Sequence, residues 1–373
     1  MNILIVNPIV YTSETKNIIR ANSIKDTMIY DLCLAFEKKG HNVTLYAAEP
    51  FKPVNEEKYP FKVIWGKCKF KSIFMPHCFP YMYNLSKYIK KNGNNIDFII
   101  CSEVFSINTL NAVLTNKNKV IVWHELAKHN AMMKKIPSKI WYNFVARFLM
   151  RNVKVVARSE EAKNFIKKYC RKTDSKIIEH GVNLDKFIYS TDKKDYFVVC
   201  SQLIERKRID GILLKFGEYL KISGNSSKLI IIGDGELKSS LEQQSRELGL
   251  EEKVIFKGKL NHEELLPYLA HAKALLVNTI KDNSMISIVE SIAVGTPVVT
   301  TEVPLNASYI KKYKLGIAKE WNQHDLIKIV NDNEMYVNNC LKYREKLSTL
   351  SKVDDFMNCF RKMKESYKIK ESR

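Results

Sequence analysis

The sequence predicts an α/β chain made of two successive doubly wound units, each a parallel sheet covered by helices. Short, continuously apolar runs alternate with segments whose apolar residues recur at helical spacing, which is typical of strands buried on both faces. The pattern restarts once, after a turn-rich patch near residues 181–193. The 373 residues are 45% hydrophobic and 27% charged, which fits two globular domains and excludes wholesale disorder.

The first unit opens with a strand at residues 3–6 and a helix at 26–39, whose apolar stripe ends at Gly40. Further apolar runs predict strands at residues 41–47, 61–65, 98–101, 120–123 and 153–157. Helical spacing predicts helices at residues 81–91, 140–150 and 159–169. Ligands in such folds bind beyond the carboxyl ends of the strands, so we look for the chemistry there.

The second unit repeats the alternation. Strands are predicted at residues 196–201, 229–232, 254–257, 274–277 and 298–300, with helices at 208–223, 237–248, 263–271 and 285–293. A polar helix at residues 341–370 carries apolar residues on one face and is expected to pack against a domain. We therefore predict an N-terminal domain at 1–186, a C-terminal domain at 187–345 and a C-terminal helix at 346–373.

Several protein classes are excluded by composition. The sequence has no uninterrupted apolar run of about 18 residues, so it predicts no membrane-spanning helix. The first residues are typical of a buried strand rather than a signal peptide. The eight cysteines form no CxxC pair, which excludes a zinc ribbon and fits reduced thiols, so we expect a cytoplasmic protein.

The positive charge lies mainly in the first half. Residues 1–186 carry 31 basic and 15 acidic side chains, whereas residues 187–373 carry 30 and 25. A basic half favours a polyanionic partner such as nucleic acid, an anionic membrane or an anionic ligand. A generally lysine-rich composition would give the same surplus.

Two carboxylates follow the predicted strand 274–277. Asp282 lies in a loop that leads into a helix, with Asn283 or Ser284 as a plausible N-cap, and Glu290 lies two turns further on. Exposed N–H groups at such a helix start suit a phosphate or diphosphate, and sugar hydroxyls suit the carboxylates. The alternative is that each carboxylate bonds to a neighbouring loop or cap.

The segment from Asp282 through Glu290 to Gly295, Thr296 and Pro297 resembles the donor-site signature of retaining family-4 glycosyltransferases of the group 1 type. That resemblance implies a GT-B fold, in which two Rossmann-like domains face each other across a cleft and a C-terminal helix returns to the N-terminal domain. It implies that Glu290 holds ribose hydroxyls and that Asp282, where Glu is usual, lies by the donor sugar. Where the family has Gly-Phe-Gly, this chain has Asn283, Ser284, Met285 and Ile286.

Other second-half segments carry the same resemblance. Residues 201–210 align with a family segment whose lysine binds the diphosphate, here Lys207, while Gln202 replaces the usual arginine. Arg206 or Arg208 is a candidate to compensate for Gln202. Gly233, at a strand end, would let backbone and ligand approach closely. The resemblance also puts two further residues near the base, Lys259 and Leu260.

The first half matches the family in pattern more than in residues. His124 ends the predicted strand 120–123, where the family has a histidine that contacts the donor sugar, and Glu125 is a candidate to orient it. We expect the acceptor side to include Glu103, Glu125, Arg20 and Asn22. The alternative for His124 is an ordinary, satisfied polar residue.

Residues 58–91 hold nine aromatic residues and eight lysines. This composition suits an anionic membrane interface, where rings lie at headgroup depth and lysines meet lipid phosphates. A half-buried loop and helix whose rings belong to the core is an equal alternative.

The resemblance implies transfer of a sugar from a nucleotide-sugar, most simply a UDP-sugar, to a lipid-linked or polysaccharide acceptor. Retention of configuration, no cofactor and no metal for the diphosphate are expected, at the inner face of the cell membrane. An epimerase of similar architecture and a basic nucleic-acid-binding protein remain alternatives, although no nucleic-acid-binding motif accompanies the charge.

Overall fold

The computed structural model describes residues 1–10, 21–25, 27–70, 80–126, 135–282 and 284–371, with side chains through residue 366. Two compact units divide the chain. Unit 1 comprises Met1–Gly181 and Thr349–Arg373, and unit 2 comprises Val182–Ser348. The predicted fold class, with its C-terminal helix on the N-terminal domain, is confirmed.

Unit 1 is built on a parallel sheet of seven strands in the order β3-β2-β1-β6-β7-β8-β9. The strands are β1 Asn2–Val6, β2 Asn42–Ala48, β3 Lys62–Gly66, β6 Phe98–Ser102, β7 Val120–His124, β8 Lys154–Ala157 and β9 Thr173–Ile177. A separate antiparallel pair joins β4 Cys68–Lys69 and β5 Tyr81–Met82. The predicted apolar runs form the buried centre of the sheet because both of its faces are covered.

The described helices of unit 1 are α1 Met28–Lys38, α2 Leu85–Asn92, α3 Ile107–Asn116, α4 Ile136–Ile140, α5 Glu160–Ile166 and the C-terminal Thr349–Glu371. The last of these completes the core, since Phe356 and Phe360 are buried against Phe36, Trp123 and Phe98. After α4 the chain continues as a π-helix, Trp141–Leu149, where an ordinary helix is predicted.

Unit 2 contains a six-stranded sheet in the order β12-β11-β10-β13-β14-β15. Its strands are β10 Tyr196–Cys200, β11 Lys228–Ile232, β12 Val254–Gly258, β13 Ala274–Leu276, β14 Val298–Thr300 and β15 Gly316–Ala318. Its helices are α6 Ile209–Ser223, α7 Lys238–Glu247, α8 His262–His271, α9 Ile286–Ala293, α10 Ala307–Tyr313, α11 Gln323–Asn331 and α12 Asn333–Leu347. The helix predicted at 341–370 is two helices, because the chain leaves helical geometry at Ser348, and the second is α13.

Candidate active site

A charged cluster of Arg206, Lys207 and Asp282 lies beyond the strand ends of unit 2. Lys207 closes a short 3-10 turn after β10, and its Nζ lies 2.6 Å from Oδ2 of Asp282. Nη1 of Arg206 lies 2.9 Å from the other oxygen of the same carboxylate. The turn is fixed to the β13 loop, since Thr279 Oγ1 donates to the Arg206 carbonyl or to Oδ2 of Asp282, at 3.1 and 2.9 Å.

This Asp282 cluster has two cations and one carboxylate, so it retains a formal charge of +1 before any ligand arrives. Lys207 is buried, and a buried cation beside a helix start strongly favours an anion. Asp282 holds both cations by direct contact, which is a positioning contact that the sequence does not reveal.

Helix α9 begins beside this cluster, but not with the predicted cap. Its N-cap is Met285, whose side chain makes no capping bond, so Ser284 is not the N-cap, and Asn283 lies outside the described residues. The Met285 N–H donates instead to Oδ1 of Asn306 at 2.6 Å. The helix itself begins at Ile286, and the first few N–H groups of a helix have no acceptor within it.

Glu290 is buried on α9, and Oε1 lies 3.0 Å from Nε2 of His262, the first residue of α8. His262 is a residue that sequence reasoning missed. It comes shortly after Lys259 and Leu260, so its position beyond β12 could have indicated it. Lys259 is exposed, and Leu260 is half-buried against the core of unit 2.

Two glycines, Gly233 and Gly235, lie in the loop that follows β11. A Cβ at Gly233 or Gly235 would collide with the backbone of Ser201 or Leu203. The predicted reason for Gly233, close approach of a ligand, is therefore incomplete, because the approach seen is between two loops of the chain. Gln202 lies in the fixed loop, between Ser201, whose N–H donates to Ile232, and Leu203, whose N–H donates to Asp234.

In unit 1, His124 ends β7 and Glu103 directly follows the neighbouring strand β6, and both residues are buried. Nδ1 of His124 lies 2.8 Å from Oε2 of Glu103. The contact is close but outside hydrogen-bond geometry, and neither ring nitrogen has a hydrogen-bond partner among the described residues. The Glu103 carboxylate also accepts the Glu125 N–H at 2.7 Å and the Leu126 N–H at 3.4 Å.

The prediction that Glu125 orients His124 is wrong. The Glu125 carboxylate contacts Arg158 at 2.7 Å and His180 at 3.8 Å, because successive residues at a strand end point in opposite directions. The Glu125 side chain is about half exposed, and desolvation by its neighbours acts to raise its pKa, but His180 and Arg158 outweigh this and hold the pKa well below its usual range. Burial, followed by the Arg158 charge, lowers the pKa of His180.

The remaining first-half candidates are less informative. Asn22 is exposed in the short segment 21–25, and Arg20 lies outside the described residues. Within residues 58–91, positions 71–79 are also outside them. Of the aromatic side chains described there, Phe61 is buried and Phe70 is exposed, while Tyr59, Trp65, Tyr81, Tyr83 and Tyr88 are half-buried. This part of the stretch therefore favours the core interpretation over a continuous exposed interface.

The described residues offer neither a metal-binding cluster nor a membrane-spanning helix. No group of three or more His, Cys, Asp or Glu side chains in the described ranges is arranged to hold a metal ion. Among the described helices, none combines the length and the apolar character that crossing a bilayer demands.

The two units match two family descriptions. Residues 183–346 match Glycosyl transferases group 1, and residues 26–186 match Glycosyltransferase Family 4. Two parallel-sheet Rossmann-like units with these matches define the class of GT-B glycosyltransferases.

Similar proteins agree with that class. The alpha-monoglucosyldiacylglycerol synthase of Streptococcus pneumoniae is 25% identical over 332 residues, which cover 80% of this chain and 72% of the synthase. The O-antigen chain mannosyltransferase RfbU of Salmonella typhimurium is 28% identical over 171 residues, 45% of this chain and 47% of that enzyme. Anabaena Alr3699/HepE in complex with UDP superposes with a TM-score of 0.66 over 97% of this chain and 100% of that one, at 14% identity. This chain is a GT-B glycosyltransferase of group 1.

Proposed function

We propose that this glycosyltransferase transfers a sugar from a UDP-sugar to a lipid-linked or glycan acceptor, with retention of configuration. The observation that carries the proposal is the Asp282 cluster, which presents two cations beside the start of α9. A departing nucleoside diphosphate gains negative charge in the transition state, and prearranged cations and N–H groups stabilise that charge. In this proposal the diphosphate needs no metal and the enzyme has no cofactor.

The donor contacts follow from the same site. Lys207 and Arg206 bind the diphosphate, with Arg206 taking over the contact that Gln202 does not make. Arg206 already reaches the cluster, whereas Arg208 is exposed and its carbonyl accepts from Asn278. Glu290 binds the ribose hydroxyls and His262 orients it, while His124 contacts the donor sugar. UDP is the choice supported by the fold likeness to a UDP complex.

The reaction balances without a further reactant. The bond between the anomeric carbon and the β-phosphate oxygen breaks, and its electron pair leaves with UDP. The acceptor oxygen bonds to the anomeric carbon on the same face, and its proton passes to the departing phosphate. The acceptor class is supported by relatives named for glucosyldiacylglycerol and O-antigen synthesis. We place the reaction at the cytoplasmic face of an anionic membrane, without nucleic acid as a partner.

A donor screen tests the proposal. The melting temperature should rise with UDP, and one sugar from a panel of UDP-, GDP- and ADP-sugars should be transferred or slowly hydrolysed. Lys207→Met should weaken UDP binding about 10- to 100-fold, because a charged hydrogen bond is worth about 1.5–3 kcal/mol. The matched control is Lys311→Met, which removes an exposed lysine paired with an exposed Glu302. If no nucleoside diphosphate raises the melting temperature, the donor site is wrongly assigned.

A further inference from the structure

The helix at residues 136–149, comprising α4 and the π-helix, carries large apolar side chains on its outside. Ile136, Ile140, Phe144 and Phe148 are 71%, 55%, 63% and 69% exposed. They follow one another at intervals of four residues. In a folded chain such a row of exposed isoleucine and phenylalanine marks an interaction surface rather than scattered surface residues.

The opposite face of the same helix is firmly anchored. Ser138, Tyr142, Ala146 and Met150 recur at the same interval and are all buried. Met150 N–H donates to the Val145 carbonyl, five residues back, as in a π-helix. Four residues turn slightly more than one full turn in an α-helix and slightly less than one in the wider π-helix. These two rotations offset each other, so each row of side chains stays on its own face of the helix.

The charged residues of the helix and of the residues next to it in sequence are uniform in sign. Residues 126–159 contain eight Lys and Arg residues and not one Asp or Glu. Lys135, Lys139 and Arg147 lie on the exposed part of the helix itself. An apolar row on a helix whose own charged residues are all cations complements the interface of an anionic bilayer, where apolar side chains enter the acyl boundary and cations meet phosphates.

We propose that the docking face, defined as Ile136, Ile140, Phe144 and Phe148 with Lys135 and Lys139, binds the enzyme to anionic lipid bilayers. The described part of residues 58–91 offers no comparable row of exposed rings. The proposal deepens, and rests on, the proposed transfer to a lipid-linked acceptor. The inner face of this helix lies by the candidate site, since the Tyr142 ring is 6.4 Å from the His124 ring. Docking therefore holds the His124 end of β7 behind this helix, one helix diameter (~10 Å) from the membrane surface, where a lipid-anchored hydroxyl is presented.

Vesicle sedimentation of the full chain tests the docking face. The wild type should sediment with vesicles of equal parts phosphatidylcholine and phosphatidylglycerol, and less with phosphatidylcholine alone or at high salt. Phe144→Gln/Phe148→Gln should lower the partition coefficient at least about tenfold, because two phenylalanine side chains are no longer transferred from water into the bilayer. Lys135→Gln/Lys139→Gln should lower it on anionic vesicles only.

The matched control is Leu214→Gln/Ile222→Gln, which changes two exposed apolar residues on one helix face of unit 2. It should sediment like the wild type. Equal sedimentation of Phe144→Gln/Phe148→Gln and the wild type would overturn the proposal, and so would a lack of wild-type binding. A vesicle-free dimer in light scattering that these two substitutions dissociate would assign the face to a second copy instead. UDP-induced stabilisation, measured without vesicles on the same proteins, separates failure of docking from failure of the donor site.

Discussion

Glu103 adopts a left-handed backbone conformation, with φ at 66°, directly after β6. For a residue with a Cβ this conformation costs about 1–2 kcal/mol, so the surrounding contacts must enforce it. Two backbone N–H groups beyond β7 hold its carboxylate, and Oε2 faces the imidazole of His124. The strained residue thus fixes the environment of the buried histidine.

We expect Glu103→Gln to lower kcat about 10- to 100-fold with little change in the KM for the nucleotide-sugar. The substitution replaces a buried, charged hydrogen-bond acceptor with a neutral one, whereas the contacts of unit 2 with the nucleotide-sugar are unchanged. Steady-state kinetics at saturating acceptor would measure this split. Glu125→Gln is the comparison, because its side chain bonds to Arg158 instead. A larger kcat loss in Glu125→Gln than in Glu103→Gln would contradict the assignment.

At this scale the sequence indicates which polar residues follow apolar strands, but not the direction in which their side chains point. His124 and Glu103 were both recognisable as polar residues that follow apolar strands. Their pairing was also accessible in principle, because β6 and β7 are neighbours and their ends are adjacent. Glu125 adjoins His124 in sequence, but extended backbone turns successive side chains to opposite sides, so this proximity does not bring the two side chains together. The Asp282 contacts with Lys207 and Arg206 span 75 and 76 positions, which no local pattern encodes.

Helix α13 is tied to the rest of unit 1 by packing and by a contact between Cys359 and the charged residue Asp174. Asp174, buried in β9, lies 2.6 Å from Nζ of Lys154, and the Sγ of Cys359 on α13 is 3.6 Å from the same carboxylate. Burial alone would raise the pKa of Asp174, but Lys154 and the Lys176 N–H outweigh burial and lower it. The carboxylate therefore belongs to the folded state in its charged form.

The stability of this tie should depend on pH in the acid range. A folded-state pKa below the unfolded value, about 3.9 for Asp, gives a stabilisation that is complete above that value. It is lost as the pH falls further, through the folded-state pKa. Asp174→Asn should therefore lower the free energy of unfolding by about 1.5–3 kcal/mol at pH 7, since the partly exposed Lys154 loses a charged hydrogen-bond partner. Urea unfolding should show that difference shrinking below pH 4, and a constant difference from pH 7 to pH 3 would refute it.

Element prediction was accurate where one period dominates. The strand predicted at 98–101 is Phe98–Ser102 in the structure, because a short, continuous apolar run is typical of a strand in a parallel sheet covered on both faces. The π-helix was not predicted, since apolar spacing alone does not separate it from an α-helix in a short segment. The break at Ser348 was also missed, although the apolar face of α13 beyond it was recognised.

Each hydrophobic core belongs to a single unit. Two clusters lie wholly in unit 2, whereas the large cluster of unit 1 combines its sheet with Val353, Phe356, Cys359, Phe360 and Met363 of α13. Unit 2 is continuous in sequence, and unit 1 is not. The predicted linear boundaries at 186 and 345 lie a few residues from these limits.

We expect the fragment 182–348 to unfold cooperatively and to gain melting temperature with UDP, because its cores and its candidate donor site are complete. The fragment 1–181 should lack a sharp transition, since losing one buried phenylalanine already costs about 3–5 kcal/mol. Calorimetry of both fragments would measure this. Adding a peptide of residues 349–371 should restore a transition to fragment 1–181. Cooperative unfolding of that fragment alone would show that α13 is dispensable for its core.

The divided origin of unit 1 has a consequence for the nascent chain. The ribosome makes Met1–Gly181 first, and then Val182–Ser348, before the residues of α13 emerge. At about 5–20 residues per second, this interval lasts on the order of 10–30 s. During that time Phe36, Phe98 and Trp123 have no Phe356 or Phe360 to cover them. Unit 2 is synthesised later but can therefore complete its core first. Until α13 emerges, unit 1 exposes aromatic surface that chaperones bind.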